Sequence, residues 1–181
     1  MITKTIPLST ERLLLRKVRK ADAKAMFINW ASDPLVTKYL NWKCHESLST
    51  TKAIIYTWLK QYDHDYFFQW GIEYKENGLL IGTISLFDFR NNSLEIGYCL
   101  ARDFWNKGIM TEACKRVIKF AFEDVGVNYL RAKHIDKNIA SKRVLEKCGF
   151  NYTKTSIEYI PSQGDNCTLL NYVLYKEDFF E

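Results

Sequence analysis

The sequence has no long hydrophobic run, because nowhere do 18 uncharged apolar residues follow one another. A transmembrane helix needs about 20 such residues, so we predict none and expect no membrane partner. The first residues, MITKTIPLSTERLLLRK, contain neither an uninterrupted apolar core nor a small-residue cleavage site. They do not look like a signal peptide, and the sequence therefore predicts a cytoplasmic protein.

Cysteine and histidine are few and scattered. The 5 cysteines form no Cys-x-x-Cys pair, and the 3 histidines lie far apart in the chain. An odd number of cysteines without paired spacing disfavours both a disulfide framework and a structural zinc site. We therefore expect no metal.

The glycine motifs of nucleotide-binding folds are also missing. The chain has 8 glycines, but neither Gly-x-Gly-x-x-Gly nor the phosphate loop Gly-x-x-x-x-Gly-Lys-Ser/Thr occurs. These absences argue against a Rossmann dinucleotide-binding domain and against a phosphate-loop nucleotidase.

The composition is that of a globular protein. A hydrophobic fraction of 47% with 15% aromatic residues argues against disorder. The 181 residues suffice for one domain with a full core, and we predict a single domain over residues 1–181. The net charge of +5 is modest. Its basic clusters, at 12–20 and 131–147, are either solvated faces or a surface that attracts an anionic partner.

Hydrophobic periodicity predicts a chain in which helices and strands are mixed. The predicted strands are Arg12–Val18, Phe67–Tyr74, Leu79–Phe89, Leu94–Leu100, Tyr129–Ile135, Phe150–Ile160 and Cys167–Tyr175. The predicted helices are Lys20–Trp30, Ser47–Tyr62, Ala113–Val125 and Asn138–Cys148. The order β-α-α-β-β-β-α-β-α-β-β indicates a mixed α/β (α+β) fold. Its fourth and fifth strands must run parallel if they are adjacent.

The stretch Trp105–Ala113, WNKGIMTEA, joins a predicted strand to a predicted helix. A strand that enters a helix N-terminus exposes backbone N–H groups beside the positive end of the helix dipole, and this arrangement suits phosphate. Gly108 permits close backbone approach and Lys107 adds a positive charge. The same dipole stabilises a carboxylate in the first helical turn, which explains the presence of Glu112 there. Taken alone, the stretch is better explained as a structural turn.

Two longer segments change that interpretation. LEIGYCLARDFWNKGIMTEA and KHIDKNIASKRVLEKCGF resemble the GCN5-related N-acetyltransferases (GNAT), particularly their RimJ/RimL-type branch. The resemblance runs from Thr10-Glu11-Arg12-Leu13 to Tyr175, with the motifs in the family's order and spacing. It implies a GNAT-like central mixed sheet with helices on both faces. It also implies acetyl-CoA as co-substrate, with its pyrophosphate held by the turn.

This sequence departs from the family's usual turn motif, Gln/Arg-x-x-Gly-x-Gly/Ala, at two positions. Trp105 replaces the polar first residue, although the RimJ/RimL-type branch commonly has an aromatic residue there, and Met110 replaces the small last one. Neither change affects the backbone N–H groups, but a side-chain contact from the first position to the cofactor becomes doubtful.

The resemblance further implies that two parallel strands diverge and that the pantetheine arm lies between them. The cofactor-binding residues it implies are Cys99, Leu100 and Ala101 at the strand end, Asn106, Lys107, Gly108, Ile109, Met110 and Thr111 in the turn, and Asn138 after the second strand. Asn138 is also the N-cap of a predicted helix, and both roles can hold.

Acetyl transfer to an amine requires the amine to lose a proton, because its pKa lies at about 8 or above. The family often carries a carboxylate base at the position of Glu95, although Glu95 could also be a solvent-facing strand residue. Many relatives protonate the leaving thiolate with a tyrosine where Leu145 stands here. Ser141 matches the serine of the branch's Asn-x-x-Ser pattern and is the expected acid, although a helix-surface hydroxyl is an equal alternative. Tyr98, Tyr152 and Tyr172 could substitute, but packing explains them as well.

The sequence therefore predicts an N-acetyltransferase that acts by direct attack in a ternary complex. Cys44-His45 could suggest a thiolate nucleophile with a neighbouring base, but the pair lies in a polar connecting stretch, and sequence neighbours rarely have the geometry that such a nucleophile requires. The acceptor is a protein N-terminal amine, such as that of a ribosomal protein, or a small amine. We expect its pocket between the first two helices, the 35–47 connection and the 157–168 hairpin, which hold no acidic cluster for a polycation. A monomer or a homodimer is expected.

The alternative function is a non-catalytic basic module that binds the ribosome or nucleic acid. Such a module has no use for the turn and Asn138 together. Nucleic acid is therefore not an expected partner.

Overall fold

A computed structural model of the chain describes residues 1–180. The strands in this part of the chain are β1 (Leu8–Ser9), β2 (Leu13–Arg16), β3 (Phe68–Tyr74), β4 (Leu79–Arg90), β5 (Ser93–Leu100), β6 (Tyr129–Ile135), β7 (Asn151–Ile160) and β8 (Asp165–Tyr175). The α-helices are α1 (Ala23–Met26), α2 (Pro34–Thr37), α3 (Leu48–Gln61), α4 (Ile109–Phe120), α5 (Ile139–Lys147) and α6 (Lys176–Phe180). No helix within residues 1–180 is long and apolar enough to cross a membrane.

The eight strands form one sheet in the order β1-β2-β3-β4-β5-β6-β8-β7. Every neighbouring pair is antiparallel except β5 and β6, which run parallel. A parallel pair cannot be joined by a tight turn and needs a crossover connection, which α4 provides here. The predicted parallel arrangement of these two strands is confirmed.

Helices cover both faces of the sheet. On one face, Phe120 of α4 makes edge-to-face contacts with Phe68 and Trp70 of β3, at centroid distances of 5.4 and 5.5 Å. Successive side chains of a strand point to opposite faces. On the other face, Arg16 of β2 binds Asp22, which directly precedes α1. The fold is therefore the predicted mixed α/β arrangement, with a central sheet between helices.

The core lies largely between the sheet and α4. The predicted apolar face is at most 3% exposed; it consists of Ala113, Val117 and Ile118 of α4 with Ala121 and Val125 of the π-helical turn that continues the helix. Burial of apolar surface is the main favourable term in folding, and it fixes α4 and hence the turn that precedes it.

The parallel strands β5 and β6 diverge after a short paired stretch. Only three residue pairs join them, and the last is Glu95 with Arg131. β5 nevertheless continues to Leu100 and β6 to Ile135. Beyond the last pair, the facing edges of the two strands are not paired with each other, and we call the space between them the gap.

The outer edges of β5 and β6 keep the gap open. β4 pairs with β5 as far as Gly82 and Leu100, and β8 pairs with β6 along its whole length. A Cβ atom on Gly82 would lie 2.4 Å from the carbonyl oxygen of Cys99, so only glycine lets β4 approach β5 so closely. Each strand is thus fixed by its outer neighbour rather than by the other strand.

The predicted first helix, from Lys20 through Trp30, is helical throughout but is not one regular α-helix. A short 3-10 turn leads into α1, and the chain then widens into a π-helical segment over Phe27–Ala31. Both the backbone N–H and the side-chain hydroxyl of Ser32 donate to the carbonyl of Phe27, at 3.1 and 2.7 Å. A serine hydroxyl that competes for a helical carbonyl in this way disturbs the regular ladder.

Three short elements, β1, α2 and α6, are absent from the prediction. Each has at most five residues, which is too few to produce a readable period. α2 begins at Pro34, and the carboxylate of Asp33 accepts a hydrogen bond from the N–H of Leu35 at 2.9 Å. The Asp-Pro pair that ends the first helix therefore also starts the next one.

Candidate active site

The turn between β5 and α4 reverses the chain through two left-handed residues. Asn106 has φ of 60° and Gly108 has φ of 72°. Glycine adopts this conformation without penalty, and asparagine does so more readily than most residues. Gly108 is the N-cap of α4, and no side chain caps this helix. The first backbone N–H groups of α4 therefore have no intrahelical partner and face outward from the turn.

Trp105 closes the turn against the end of β5. Its indole Nε1 donates to the carbonyl of Leu100 at 2.8 Å. The aromatic residue at the first position of the motif thus has a structural role. The second departure from the family pattern, Met110, is buried at 6% exposure and does not crowd the surface of the turn.

A carboxylate clip fixes the turn relative to the start of β2. Glu112 of α4 accepts hydrogen bonds from the hydroxyl of Thr10 (2.6 Å), the backbone N–H of Arg12 (3.0 Å) and the Nε of Arg12 (2.6 Å). The guanidinium of Arg12 also donates to the carbonyl of Lys107 at 3.0 Å. Helix-dipole complementarity alone is therefore an incomplete explanation of Glu112.

Sequence reasoning missed Thr10 and Arg12 as parts of this site. The Thr10-Glu11-Arg12-Leu13 motif could have indicated them, because it belongs to the same family pattern as the turn although it lies far from the turn in the chain.

Asn138 lies where β6 leads into α5, on the far side of the gap. Its side-chain oxygen accepts a hydrogen bond from the N–H of Ser141 at 3.2 Å. The predicted N-cap role is thereby confirmed. The side-chain amide nitrogen of Asn138 makes no hydrogen bond within residues 1–180, so its contact with a cofactor stays a prediction.

A pair of hydroxyl groups bridges the two sides of the gap. Tyr98 lies on β5 beyond the last residue paired with β6, and its oxygen is 3.0 Å from Oγ of Ser141 on α5. The carbonyl of Ser141, at 3.3 Å, is an alternative acceptor for the single Tyr98 hydroxyl proton. Burial raises the pKa of Tyr98 well above its ordinary value, so Tyr98 stays protonated and acts as a hydrogen-bond donor. Leu145, which stands where many relatives have the acid tyrosine, is buried at 1% exposure.

Glu95 lies at the closed end of the gap. It forms the last pair between β5 and β6, and its side chain is 12% exposed. Its carboxylate is 3.3 Å from Nη1 of Arg131. Burial raises the pKa of Glu95, while the charges of Lys133 and Arg131 oppose that rise. A carboxylate of raised pKa is a better base than an exposed one.

Arg131 is held in place by the end of β4. It donates to the carboxylate of Asp88 at 2.9 Å, to the carbonyl of Asp88 at 2.5 Å and to the hydroxyl of Ser93 at 3.1 Å. Asp88 lies in an irregular part of the β4–β5 ladder and has φ of 54°. The bulge places the carboxylate and the carbonyl oxygen of Asp88 next to the same guanidinium. The guanidinium is thereby held in a fixed position beside Glu95. No pattern in the sequence indicated Asp88 or Arg131.

Two cavities border the C-terminal half of the sheet. A cavity of about 270 Å³ has Glu95 and Arg131 in its wall. A larger hollow of about 360 Å³ is lined by residues around Phe150, including the alternative acids Tyr152 and Tyr172, but by none of the predicted cofactor-binding residues and not by Glu95 or Ser141. Of the two, the smaller cavity is therefore the one that adjoins the site.

The chain matches the acetyltransferase (GNAT) domain family over residues 12–151. It is 31% identical over 159 residues to the uncharacterized N-acetyltransferase YoaA of Bacillus subtilis (strain 168), covering 87% of this chain and 89% of YoaA. The microcin self-immunity acetyltransferase MccE, solved with acetyl-CoA and AMP, aligns with a TM-score of 0.81 at 21% identity, covering 92% of this chain and 93% of MccE. A ribosomal-protein acetyltransferase of Vibrio fischeri aligns with a TM-score of 0.75 at 20% identity, covering 96% of this chain and 98% of the other.

The family match spans most of the chain, which therefore belongs to the GNAT family of acetyltransferases. It is an acetyl-CoA-dependent N-acetyltransferase. The two solved structures share too little sequence with it to show more than the fold.

Replacing Glu112 by Gln should lower the free energy of unfolding by about 1 kcal/mol at neutral pH, because Arg12 loses its charged partner. Burial alone would raise the pKa of Glu112, but hydrogen bonds from Thr10 and Arg12 lower it on balance. A depressed pKa contributes stability above the unfolded value of about 4.3, and this contribution is lost as the pH falls through the folded value. Urea denaturation at pH 7 and in steps below pH 5 should show that the difference in the free energy of unfolding between the parent and Glu112→Gln shrinks as the pH falls.

Glu123→Gln is the matched control for Glu112→Gln. Glu123 forms only an exposed pair with Lys119 at 3.6 Å, so its loss should change stability far less. A Glu112→Gln variant as stable as the parent at pH 7 would show that the clip contributes nothing.

Proposed function

We propose that the chain acetylates a primary amine by direct attack in a ternary complex, with acetyl-CoA in the gap between β5 and β6. The observation that carries this proposal is the divergence of the two strands directly after Glu95 and Arg131. A candidate anion site lies beyond the open end of the gap and a candidate base at its closed end. A thioester held between them would have its carbonyl carbon near the base.

The turn supplies the features that a diphosphate requires. The N–H groups that begin α4 have no intrahelical partner and point the same way as the positive end of the helix dipole. Lys107 is exposed beside them. The strand end Cys99–Ala101 and Asn138, on opposite sides of the gap, would then bind the pantetheine arm through backbone and amide groups.

Replacing Gly108 by Val should weaken acetyl-CoA binding, because a β-branched residue disfavours φ of 72° and puts a Cβ beside the proposed pyrophosphate. Acetyl-CoA at 100 times its dissociation constant should stabilise the parent protein by about 2.7 kcal/mol. Thermal denaturation with and without millimolar acetyl-CoA should show a large rise in Tm for the parent and a much smaller one for Gly108→Val.

Gly78→Val separates lost binding from backbone strain. Gly78 also has positive φ, 68°, but lies in the β3–β4 turn with open space around it. This control should lose stability without ligand yet keep the full rise in Tm with acetyl-CoA. A Gly108→Val variant that keeps the full rise would exclude the turn as the pyrophosphate site.

Glu95 is the proposed base, acting directly or through a water molecule. As the amine nitrogen attacks the thioester carbon, the amine must give up a proton, and Glu95 would accept it. The clamped guanidinium of Arg131 would orient the carboxylate and keep it ionised. Burial has the opposite effect: it raises the pKa of Glu95 and makes the carboxylate more basic.

Ser141 is proposed to assist the leaving group. When the carbon–sulfur bond breaks, the sulfur keeps the electron pair, and the hydroxyl of Ser141 would donate a hydrogen bond to the thiolate, which is then protonated from solvent. Tyr98 would donate a hydrogen bond to Oγ of Ser141 and so leave the Ser141 proton free to point at the sulfur. The effect should be modest, because a thiolate is already a competent leaving group.

Direct transfer is favoured over an acetyl-cysteine intermediate by the state of the thiol near the gap. The thiol of Cys99 is 3.3 Å from the hydroxyl of Thr83, and burial raises its pKa. Such a thiol stays protonated and is a poor nucleophile.

Replacing Glu95 by Gln should lower kcat at neutral pH by about 10²- to 10⁴-fold, since general-base help has that size. Raising the pH should partly restore the rate, because the amine then arrives without its proton. Initial rates of CoA release across pH 6–9 would measure both effects. For the parent, the rate should fall as the pH drops through the raised pKa of Glu95 and the base is protonated.

Two controls accompany Glu95→Gln. Its acetyl-CoA-induced rise in Tm should equal that of the parent, which shows an intact cofactor site. Ser141→Ala should reduce kcat less than Glu95→Gln does. Parent-like kcat for Glu95→Gln across neutral pH would move the search for the base to the acceptor side of the site.

The acceptor is proposed to be a protein N-terminal amine or a small amine. The structural neighbour from Vibrio fischeri is named as a ribosomal-protein acetyltransferase, which supports the first choice. The turn of the β7–β8 hairpin binds the connection after α2, since Ser162 donates to the carbonyl of Leu40 at 2.6 Å and Gln163 to that of Lys38 at 3.0 Å. These two segments, expected to form the acceptor pocket, are thus in contact.

A further inference from the structure

The cavity of about 270 Å³ beside Glu95 has a wall rich in positive charge. Its charged lining residues are Arg90, Arg131, Lys133 and Lys154 on the positive side and Glu95 and Glu158 on the negative side. An amine that reached Glu95 from the acceptor side would place its substituents in or beside this cavity.

The ion pairs of the wall leave part of its positive charge uncompensated. Lys133 binds Glu158 at 2.8 Å. Arg131 forms ion pairs with Asp88 and Glu95. Asp88 also pairs with Arg90, at 3.3 Å. Lys154 makes no ion pair with any residue in 1–180, although its charge acts on Glu158.

The neutral polar groups of the cavity are largely satisfied by one another. Asn171 donates to the hydroxyl of Ser156 at 2.9 Å, and Ser156 donates to Glu158 at 3.0 Å. The hydroxyl of Thr153 donates to the carbonyl of Asn171 at 3.1 Å. The groups left to meet a ligand are therefore mainly the cations, above all Lys154.

The register of the strands directs Lys154 toward the same region as Lys133. Both residues pair with Asn171 of β8, from β7 and β6 respectively. Lys133 is two residues beyond Arg131, the partner of Glu95, and therefore on the same face of the sheet. The uncompensated cation thus lies across the cavity from the proposed base.

We propose that this cavity is a second acceptor subsite, which selects amines that carry a carboxylate within a few bonds of the amino group. Glu95 would receive the amine and Lys154, with Arg90, the carboxylate. A polyamine would place a second positive charge among these cations and should be rejected. The carboxylate could belong to a free amino acid or to an acidic residue near the N-terminus of a peptide. The inference rests on the proposed role of Glu95.

The test compares matched acceptors that differ in one charge. L-alanine and L-alaninamide represent the free amino acid with and without its carboxylate. The peptides Ala-Glu-Ala-amide and Ala-Gln-Ala-amide represent an N-terminus with and without an acidic second residue. We expect kcat/KM for CoA release at pH 8, calculated per deprotonated amine, to be about two- to fivefold higher for the carboxylate-bearing member of one pair, the effect of one partly exposed ion pair. The pair that shows the preference identifies the source of the carboxylate.

Lys154→Met should reduce that ratio toward one, while Lys119→Met should leave it unchanged. Lys119 is a comparable exposed lysine on α4 and pairs only with Glu123. Lys154 is exposed on the edge strand β7, so its replacement spares the core.

Equal rates within both pairs, turnover of none of the four acceptors, or a preference that survives in Lys154→Met would each overturn the inference. These outcomes differ from a failure of the proposed function, in which acetyl-CoA would not raise the Tm or Glu95→Gln would keep the parent rate.

Discussion

The site depends on one constraint, which is that β5 and β6 are each bound more firmly to an outer neighbour than to each other. β4 holds β5 to its end, and β8 holds β6 along its length. The short parallel pairing stops at Glu95 and Arg131. The unpaired backbone edges beyond that point would be costly in a closed core, because buried N–H and C=O groups need partners. A ligand with amide groups of its own, such as the pantetheine arm, can satisfy them.

Two charge networks fix the ends of the gap. At the open end, Glu112 connects α4 to β2 and so fixes the turn that begins the helix. At the closed end, Asp88 holds Arg131, and Arg131 orients Glu95. Both networks are half-buried, so they hold position better than exposed pairs do, and they require little desolvation of a fully buried charge. The fold thus separates the proposed anion site from the proposed base and keeps each in its own fixed geometry.

Much of the fold could be predicted because the relevant patterns are local. The apolar face of α4 and the parallel placement of β5 and β6 follow from periodicity and connection rules. The change from α- to π-helix within the first helix could not be predicted, since it involves the hydroxyl of Ser32, which competes for one carbonyl. Short elements such as α2 and α6 contain too few residues to show a period.

The site itself was predictable only where a motif marks it. The turn around Gly108 and the N-cap at Asn138 belong to contiguous patterns, and the structure gives both the expected local geometry. The Asp88 clamp arises from a strand irregularity and a residue 43 positions away, so no local pattern indicates it. The link from Tyr98 to Ser141 likewise exists only because α5 packs across the gap.

Hydrogen exchange of individual backbone amides, with and without acetyl-CoA, tests the central claim most directly. The N–H groups at 107–111 have no intrahelical partners and should exchange fast in the free protein. Acetyl-CoA should slow exchange at 106–111 and at 97–101 along the gap, while the distant β3–β4 turn at 75–79 should be unaffected. Protection confined to other segments, or unchanged exchange at 106–111 with saturating acetyl-CoA, would contradict the account.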